Sequence, residues 1–154
     1  MKSNHTLIVL GLLATMATAA LAHGGATGIV KQRMDGMMAM GKALGAVADM
    51  FKGKTPFNPT NVANSADVVT QHGREMSALF PDTEQSRNGT GTEALPNIWQ
   101  DLATFNRLTK ELEIGAKGLK AAALNADQSA VRAAFAKVAK TCSACHRDFR
   151  KPKN

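Results

Sequence analysis

Apolar residues recur every three or four positions along four long stretches, and this spacing predicts four amphipathic helices. The first runs from Ala26 to Lys52. Val30, Met34, Met37, Met40, Leu44, Val47 and Phe51 share its apolar stripe, while Lys31, Gln32, Lys42 and Asp49 fall off it. Gly53-Lys54-Thr55-Pro56 ends that helix. Asn58 and Pro59 open the second as N-cap and first helical residue. Val62, Val69, Met76 and Leu79 form its stripe, Ala63 and Ala66 fill in, and Phe80-Pro81 closes it. Asp82 to Glu93 has almost no apolar content and reads as an exposed loop. Pro96 begins the third helix, in which Ile98, Leu102, Phe105, Leu108, Leu112, Ala116, Leu119 and Ala123 keep helical spacing throughout. Asn125-Ala126-Asp127 is a turn, and Asp127 caps the fourth helix. Its inner stripe is Val131, Phe135, Val138, Cys142, Cys145 and Phe149, and Pro152 ends it. Mostly short connections between four such helices predict an all-α fold, an antiparallel up-down-up-down four-helix bundle.

The first helix carries Gly36, Gly41 and Gly45. Each lowers intrinsic helicity by up to about 1 kcal/mol relative to Ala, unless the missing side chain admits a neighbouring helix or a cofactor. Ahead of this helix, Lys2, the apolar run Leu7 to Ala14 and the small-x-small site Ala20-Leu21-Ala22 predict a secretory signal peptide over 1–22. A single bundle domain then occupies 23–154. The apolar run is short for a bilayer span of about 20 residues, and no later run is long enough, so no membrane span is expected after cleavage. The chain has no Tyr and few aromatics, consistent with helices rather than strands. Its formal net charge of +7 falls by one when Lys2 is removed. A basic exported protein suits an acidic redox partner or an anionic surface; nucleic acid is not an expected target.

Only two cysteines are present, and both lie in Cys142-Ser143-Ala144-Cys145-His146. C-x-x-C-H is the attachment pattern for a c-type haem. On a helix, residues three and four apart share one face, so Cys142, Cys145 and His146 point the same way. The thiols can add to the two vinyl groups of one porphyrin while the imidazole of His146 reaches the iron from the proximal side. A disulfide between residues three apart would staple almost nothing, zinc would need further ligands, and no βαβ pattern suggests a thioredoxin-like pair. Export agrees with the motif, because c-type haem is attached outside the bacterial cytoplasm.

With these residues in view, the chain resembles the class II c-type cytochromes, the cytochrome c′ family, over its whole mature length. The motif near the end of the final helix carries most of the resemblance, followed by the tail Phe149-Arg150-Lys151. The Gly53-Lys54-Thr55-Pro56-Phe57 turn, the Leu79-Phe80-Pro81 stop and Pro96-Asn97-Ile98-Trp99 add to it. The family places an arginine in the first helix and, four positions later, the residue facing the distal side of the iron. Here these are Arg33 and Met37, although Met34 stands where the family usually has Gln. An apolar residue such as Leu at the distal position implies five-coordinate iron; Met implies the low-spin cytochrome c556 type with His/Met ligation. Met34 and Met40 remain alternatives to Met37, because all three lie on one stripe. The resemblance also implies that Arg33 and Arg150 pair with haem propionates or line the pocket, and that Trp99 and Phe149 pack on the porphyrin. His72 has small or charged neighbours, Gly73, Arg74 and Glu75, and reads as a surface or half-buried histidine; His23 falls at the expected mature start.

A thioether favours the softer Fe(II) and raises the reduction potential relative to two imidazoles. These readings together describe a periplasmic one-electron carrier with one covalent haem c, exchanging electrons with redox proteins. No acid/base pair, nucleophile or phosphate loop suggests an enzyme. The second expectation is a five-coordinate protein that binds nitric oxide or carbon monoxide. A haem-free bundle serving as an interaction module is a distant third. The family also implies homodimers formed through the first two helices.

Overall fold

The structure, a computed structural model, describes residues 25–152. The expected signal peptide and His23 lie outside the described residues. The four long helices form where the spacing predicts them: α1, Gly28–Phe51; α2, Pro59–Glu75; α5, Leu102–Leu124; and α6, Gln128–Phe149. Two short helices, α3 (Glu84–Asn88) and α4 (Asn97–Gln100), lie between α2 and α5. The Asn58 side chain accepts a hydrogen bond from the Asn61 amide at 3.0 Å. Asp127 does the same for the Ala130 amide at 3.0 Å. Each satisfies one of the first-turn N–H groups that a helix leaves unpaired.

Two expectations are corrected. The third helix does not run unbroken from Pro96. Asp101 adopts φ −131° and ψ 61°, which ends α4, and its side chain then caps α5 through the Thr104 amide. The segment after Pro81 is not wholly an exposed loop either. Thr83 caps α3, and Ser86 within it is completely buried. Ahead of both, a 3₁₀ turn at Met76–Leu79 carries the chain off the end of α2.

α1 packs on α2, α2 on α5 and α5 on α6. The core they share includes Val47, Val62, Ala66, Val69, Ala116, Leu119, Ala123, Val131 and Val138, all fully enclosed. The fourth side of the bundle, α1 against α6, is different, since the two backbones hardly approach each other. Their aromatic contact lies at one end. There the Phe51 and Phe135 rings pack edge to face at 5.3 Å, and the Arg132 guanidinium lies 4.4 Å from the Phe51 ring. At the opposite end α6 is tied to the α3–α4 segment instead. Ala94 pairs with Arg150 in an isolated antiparallel bridge, with Leu95 N–H to Phe149 C=O at 3.0 Å and Lys151 N–H to Glu93 C=O at 2.8 Å.

Gly41 and Gly45 have nothing within 4 Å of where a Cβ would stand, so they admit no neighbour from within the chain. Gly36 differs: a Cβ there would fall 3.1 Å from His72 Nδ1 on α2.

Away from the seam, Glu113 on α5 is buried and held by three cations. Lys117 Nζ is 2.6 Å away, Lys110 Nζ 2.9 Å and Arg74 Nε, from α2, 3.7 Å. The hydrogen bonds from Lys110 and Lys117 hold its carboxyl down at about 2. A carboxyl lowered by folding stabilises the fold above its unfolded value and loses that contribution as pH falls through the folded one. Thermal stability is therefore expected to decline between about pH 5 and pH 2, and Glu113→Gln should flatten that decline. An acid melting series on both proteins checks it; parallel curves would remove Glu113 from the account.

Candidate haem-binding site

Cys142 and Cys145 stand on α6 as free thiols, half-buried against the core. Both belong to the helix face that carries Phe135, seven residues before Cys142, and Phe135 is the residue that touches α1. The pair therefore faces the seam. Burial pushes the Cys142 thiol up, and the Cys145 thiol is pushed to about 11, first by burial and then by Cys142 and Asp148. A dithiol redox pair needs a lowered thiol pKa; these two are neutral thiols in an apolar setting. His146, on the next residue, is exposed. Among the described residues no cluster of three or more His, Cys, Asp or Glu side chains could hold a bare metal ion. The donor set fits instead a planar group that brings its own metal and takes two thiols and one imidazole from a single helical turn.

Across the seam lies the methionine stretch of α1. The Phe51–Phe135 contact fixes the level of the two antiparallel helices. At 1.5 Å per residue, Met40 lies roughly 16 Å and Met37 roughly 21 Å above it on α1, and His146 roughly 16 Å above it on α6. Met40 thus stands level with His146, and Met37 about one helical turn beyond it. Met40 is buried in the core, whereas Met37 is half-buried and packs on the core's edge. Met34 is half-buried one turn earlier.

Met37 lines a small cavity of about 10 Å³ with Met40, Met76, Phe80, Arg33 and His72. His72 is 26 % exposed, and its Nδ1 lies 3.9 Å from Glu75. Its ring rests on the bare backbone of Gly36, so the half-buried histidine expected from the sequence turns one side toward the cavity. Nothing in its charged neighbours signals this; Gly36, 36 residues earlier, is the only trace in the sequence.

Arg33 is buried and its guanidinium is engaged by the protein itself. Nε donates to Leu79 C=O at 2.5 Å and Nη1 to Ser86 C=O at 2.8 Å, while Nη2 donates to Ser86 Oγ. The group stacks over Phe80 at 4.0 Å. Burial lowers its pKa to about 10, so it stays cationic at neutral pH. With these donors committed to Leu79 and Ser86, Arg33 lines the cavity beside Met37 as a clamp. Arg150 pairs with Glu93 through Nε at 2.7 Å and Nη2 at 2.6 Å. That partner was not foreseen, and it fixes the tail after α6. Trp99 donates from its indole N–H to the Phe80 and Pro81 carbonyls at 3.1 and 3.2 Å. Phe149 is buried edge to face on Phe105 at 5.5 Å, and Phe105 on Phe80 at 4.8 Å. Trp99 and Phe149 therefore join one aromatic cluster at the end of the bundle where α6 finishes.

A bundle left unclosed between α1 and α6, with paired thiols and an imidazole on one wall and methionines on the other, defines a class II c-type cytochrome. The cytochrome c′ family model matches residues 28–150, and the chain belongs to that family. It is 32% identical to a cytochrome c′ of Rhodopseudomonas palustris, over 83% of this chain and 85% of that one. It is equally 32% identical to a cytochrome c-556 of Agrobacterium tumefaciens, over 80% and 97%. The solved structure of Rhodopseudomonas palustris cytochrome c′ superposes with a TM-score of 0.76 at 31% identity, covering 83% and 99% of the two chains. The cofactor is accordingly one covalently attached haem c with its iron.

Proposed function

We propose that this protein is an exported one-electron carrier. In this reading Cys142 and Cys145 hold the haem through thioethers, His146 is the proximal ligand and Met37 the distal one. The haem supplies the Fe(III)/Fe(II) couple. The protein's part is to hold the group in the seam between α1 and α6, exclude water with the Phe80, Phe105 and Phe149 cluster, and present a fixed thioether. Two fixed axial side chains leave little to rearrange when the charge changes, which suits electron transfer. The observation that carries the reading is the cavity beside Arg33, which Met37 lines from the α1 side within about one helical turn of the His146 level. Arg33 supports the choice of Met37 by anchoring the preceding turn of α1. Export rests on the sequence of residues 1–22.

The names of the solved relatives favour a second reading. Of eight relatives, four are cytochromes c′ and four cytochromes c-556, while the similar solved structures are cytochromes c′. In that reading Met37 stays off the iron, the sixth position is open, and nitric oxide or carbon monoxide binds there.

Visible absorption and electron paramagnetic resonance of the holoprotein separate the two. The carrier reading expects a low-spin ferric form with the weak sulfur-to-iron band, and a ferrous form slow to take up carbon monoxide. Met37→Ala should then turn high-spin and bind carbon monoxide readily, while Met34→Ala and Met40→Ala keep the band. A wild-type protein already high-spin would transfer the conclusion to the second reading. A low-spin spectrum surviving Met37→Ala would point to another ligand.

A further inference from the structure

Cations are distributed unevenly over the molecule. The exposed cations of α2, α3 and α5 are paired: Arg74 with Glu113, Arg87 with Asp82, Arg107 with Glu111, Lys110 and Lys117 with Glu113, and Lys120 with Asp67. Asp82, Glu111 and Asp67 each offset one cation, and Glu113 offsets part of the charge of its three. The cations of α6 before Arg147, which pairs with Asp148, stand otherwise. From Gln128 to Arg147 the helix has no carboxylate at all. Arg132, Lys137 and Lys140 are exposed, and among the described residues none has a carboxylate within salt-bridge distance. Lys52, which follows the Phe51 that touches α6, is likewise exposed without one. Between the α6 cations the exposed residues are small, Ala133, Ala136 and Ser143, so the face is flat as well as positive.

We infer that the outer face of α6 around Arg132, Lys137 and Lys140 is the docking surface for an acidic redox protein. The inference rests on the electron-carrier reading and names the partner's chemistry. Lys140 lies two residues before Cys142, and the thiols face inward from the same helix. A partner seated on this face is therefore separated from the thioether edge by no more than one helix, about 10 Å thick. Unpaired like charges on one face steer an oppositely charged partner and raise its association rate, and cations that each share a carboxylate elsewhere compete for it less. Small, flat residues suit the brief, limited contacts of redox encounters.

The test uses holoprotein and a reduced acidic flavodoxin as electron donor, with the reduction rate followed by stopped flow across ionic strengths. Lys137→Glu with Lys140→Glu should slow reduction by about tenfold or more at low salt, and the difference should vanish at high salt. Arg107→Glu with Lys120→Glu alters the net charge equally on α5 and should change the rate by less than about threefold. Equal slowing in both double variants would show that net charge acts and not the face, overturning the proposal; so would no slowing in either. Vesicles of phosphatidylglycerol provide a further arm. Loss of vesicle binding in the α6 variant with an unchanged flavodoxin rate would assign the face to a lipid surface and reject a protein partner. A wild-type protein that stays oxidised with every donor at any salt would instead overturn the electron-carrier reading itself.

Discussion

Cys142→Ser with Cys145→Ser will yield a protein from which acidified organic solvent strips all haem. The wild-type chain will keep its haem through the same treatment. Its mass will correspond to residues 23–154 plus one haem, which also reads the expected signal cleavage. The reason is chemical. A thiol adds across a porphyrin vinyl group to form a C–S bond; the hydroxyl that replaces it does not. Each single variant retains one link, so its pyridine haemochrome band should move toward that of a porphyrin with one free vinyl. The double variant should also be less stable. The core of α2, α5 and α6 closes without help, but Met37, Leu44, Phe135, Cys142 and Cys145 are only partly buried along the seam. Apolar side chains gain roughly 1.5–3 kcal/mol each on full burial, and here the group that completes their burial is the covalent one. Melting of the double variant below the wild-type holoprotein checks this. Covalent haem surviving in the double variant would remove the two thiols from the site.

Most of the scaffold is legible because it depends on short-range rules. Three-and-four spacing marks α1, α2, α5 and α6, and Asn58 and Asp127 cap as their residue types predict. The C-x-x-C-H turn is legible for the same reason, since its chemistry is contained in five consecutive residues. What was missed depends on partners far away in the chain. Apolar spacing continues from Ile98 to Leu102 across Asp101, so periodicity cannot register the backbone break there. The 82–93 segment is polar, yet Ser86 is buried because Arg33 satisfies both its carbonyl and its hydroxyl across 53 positions. Arg150 finds Glu93 across 57 positions. Composition cannot forecast a polar pair far apart in the chain, buried like Arg33–Ser86 or exposed like Arg150–Glu93, because each member alone looks like surface. Gly36 and His72 follow the same logic: a missing side chain on one helix makes room for an imidazole on another.

The Arg33 clamp predicts the largest purely structural effect, and it reaches the site. Arg33→Met keeps an unbranched side chain of comparable reach but leaves the Leu79 and Ser86 carbonyls and the Ser86 hydroxyl without their donor. A buried acceptor stripped of its partner costs about 1–3 kcal/mol, and the stacking on Phe80 is lost as well. Because neighbouring losses do not add, a total of about 3–5 kcal/mol is expected, read as a lower denaturant midpoint. Arg33→Lys should recover only part of it. One ammonium cannot reproduce the planar fork that meets Leu79 and Ser86 together. Ser86→Ala deletes only the hydroxyl contact and should cost about 1 kcal/mol. A generic core lesion would stop there, with the spectrum unchanged. The clamp makes a second demand, because Met37 stands one helical turn beyond Arg33 and shares its cavity. On the electron-carrier reading, loosening that turn weakens the hold on the thioether. The sulfur-to-iron band should therefore fade in Arg33→Met under conditions where the protein is still folded, and return in part with Arg33→Lys. An undiminished band in a destabilised Arg33→Met protein would confine Arg33 to the fold and separate it from the ligand it precedes.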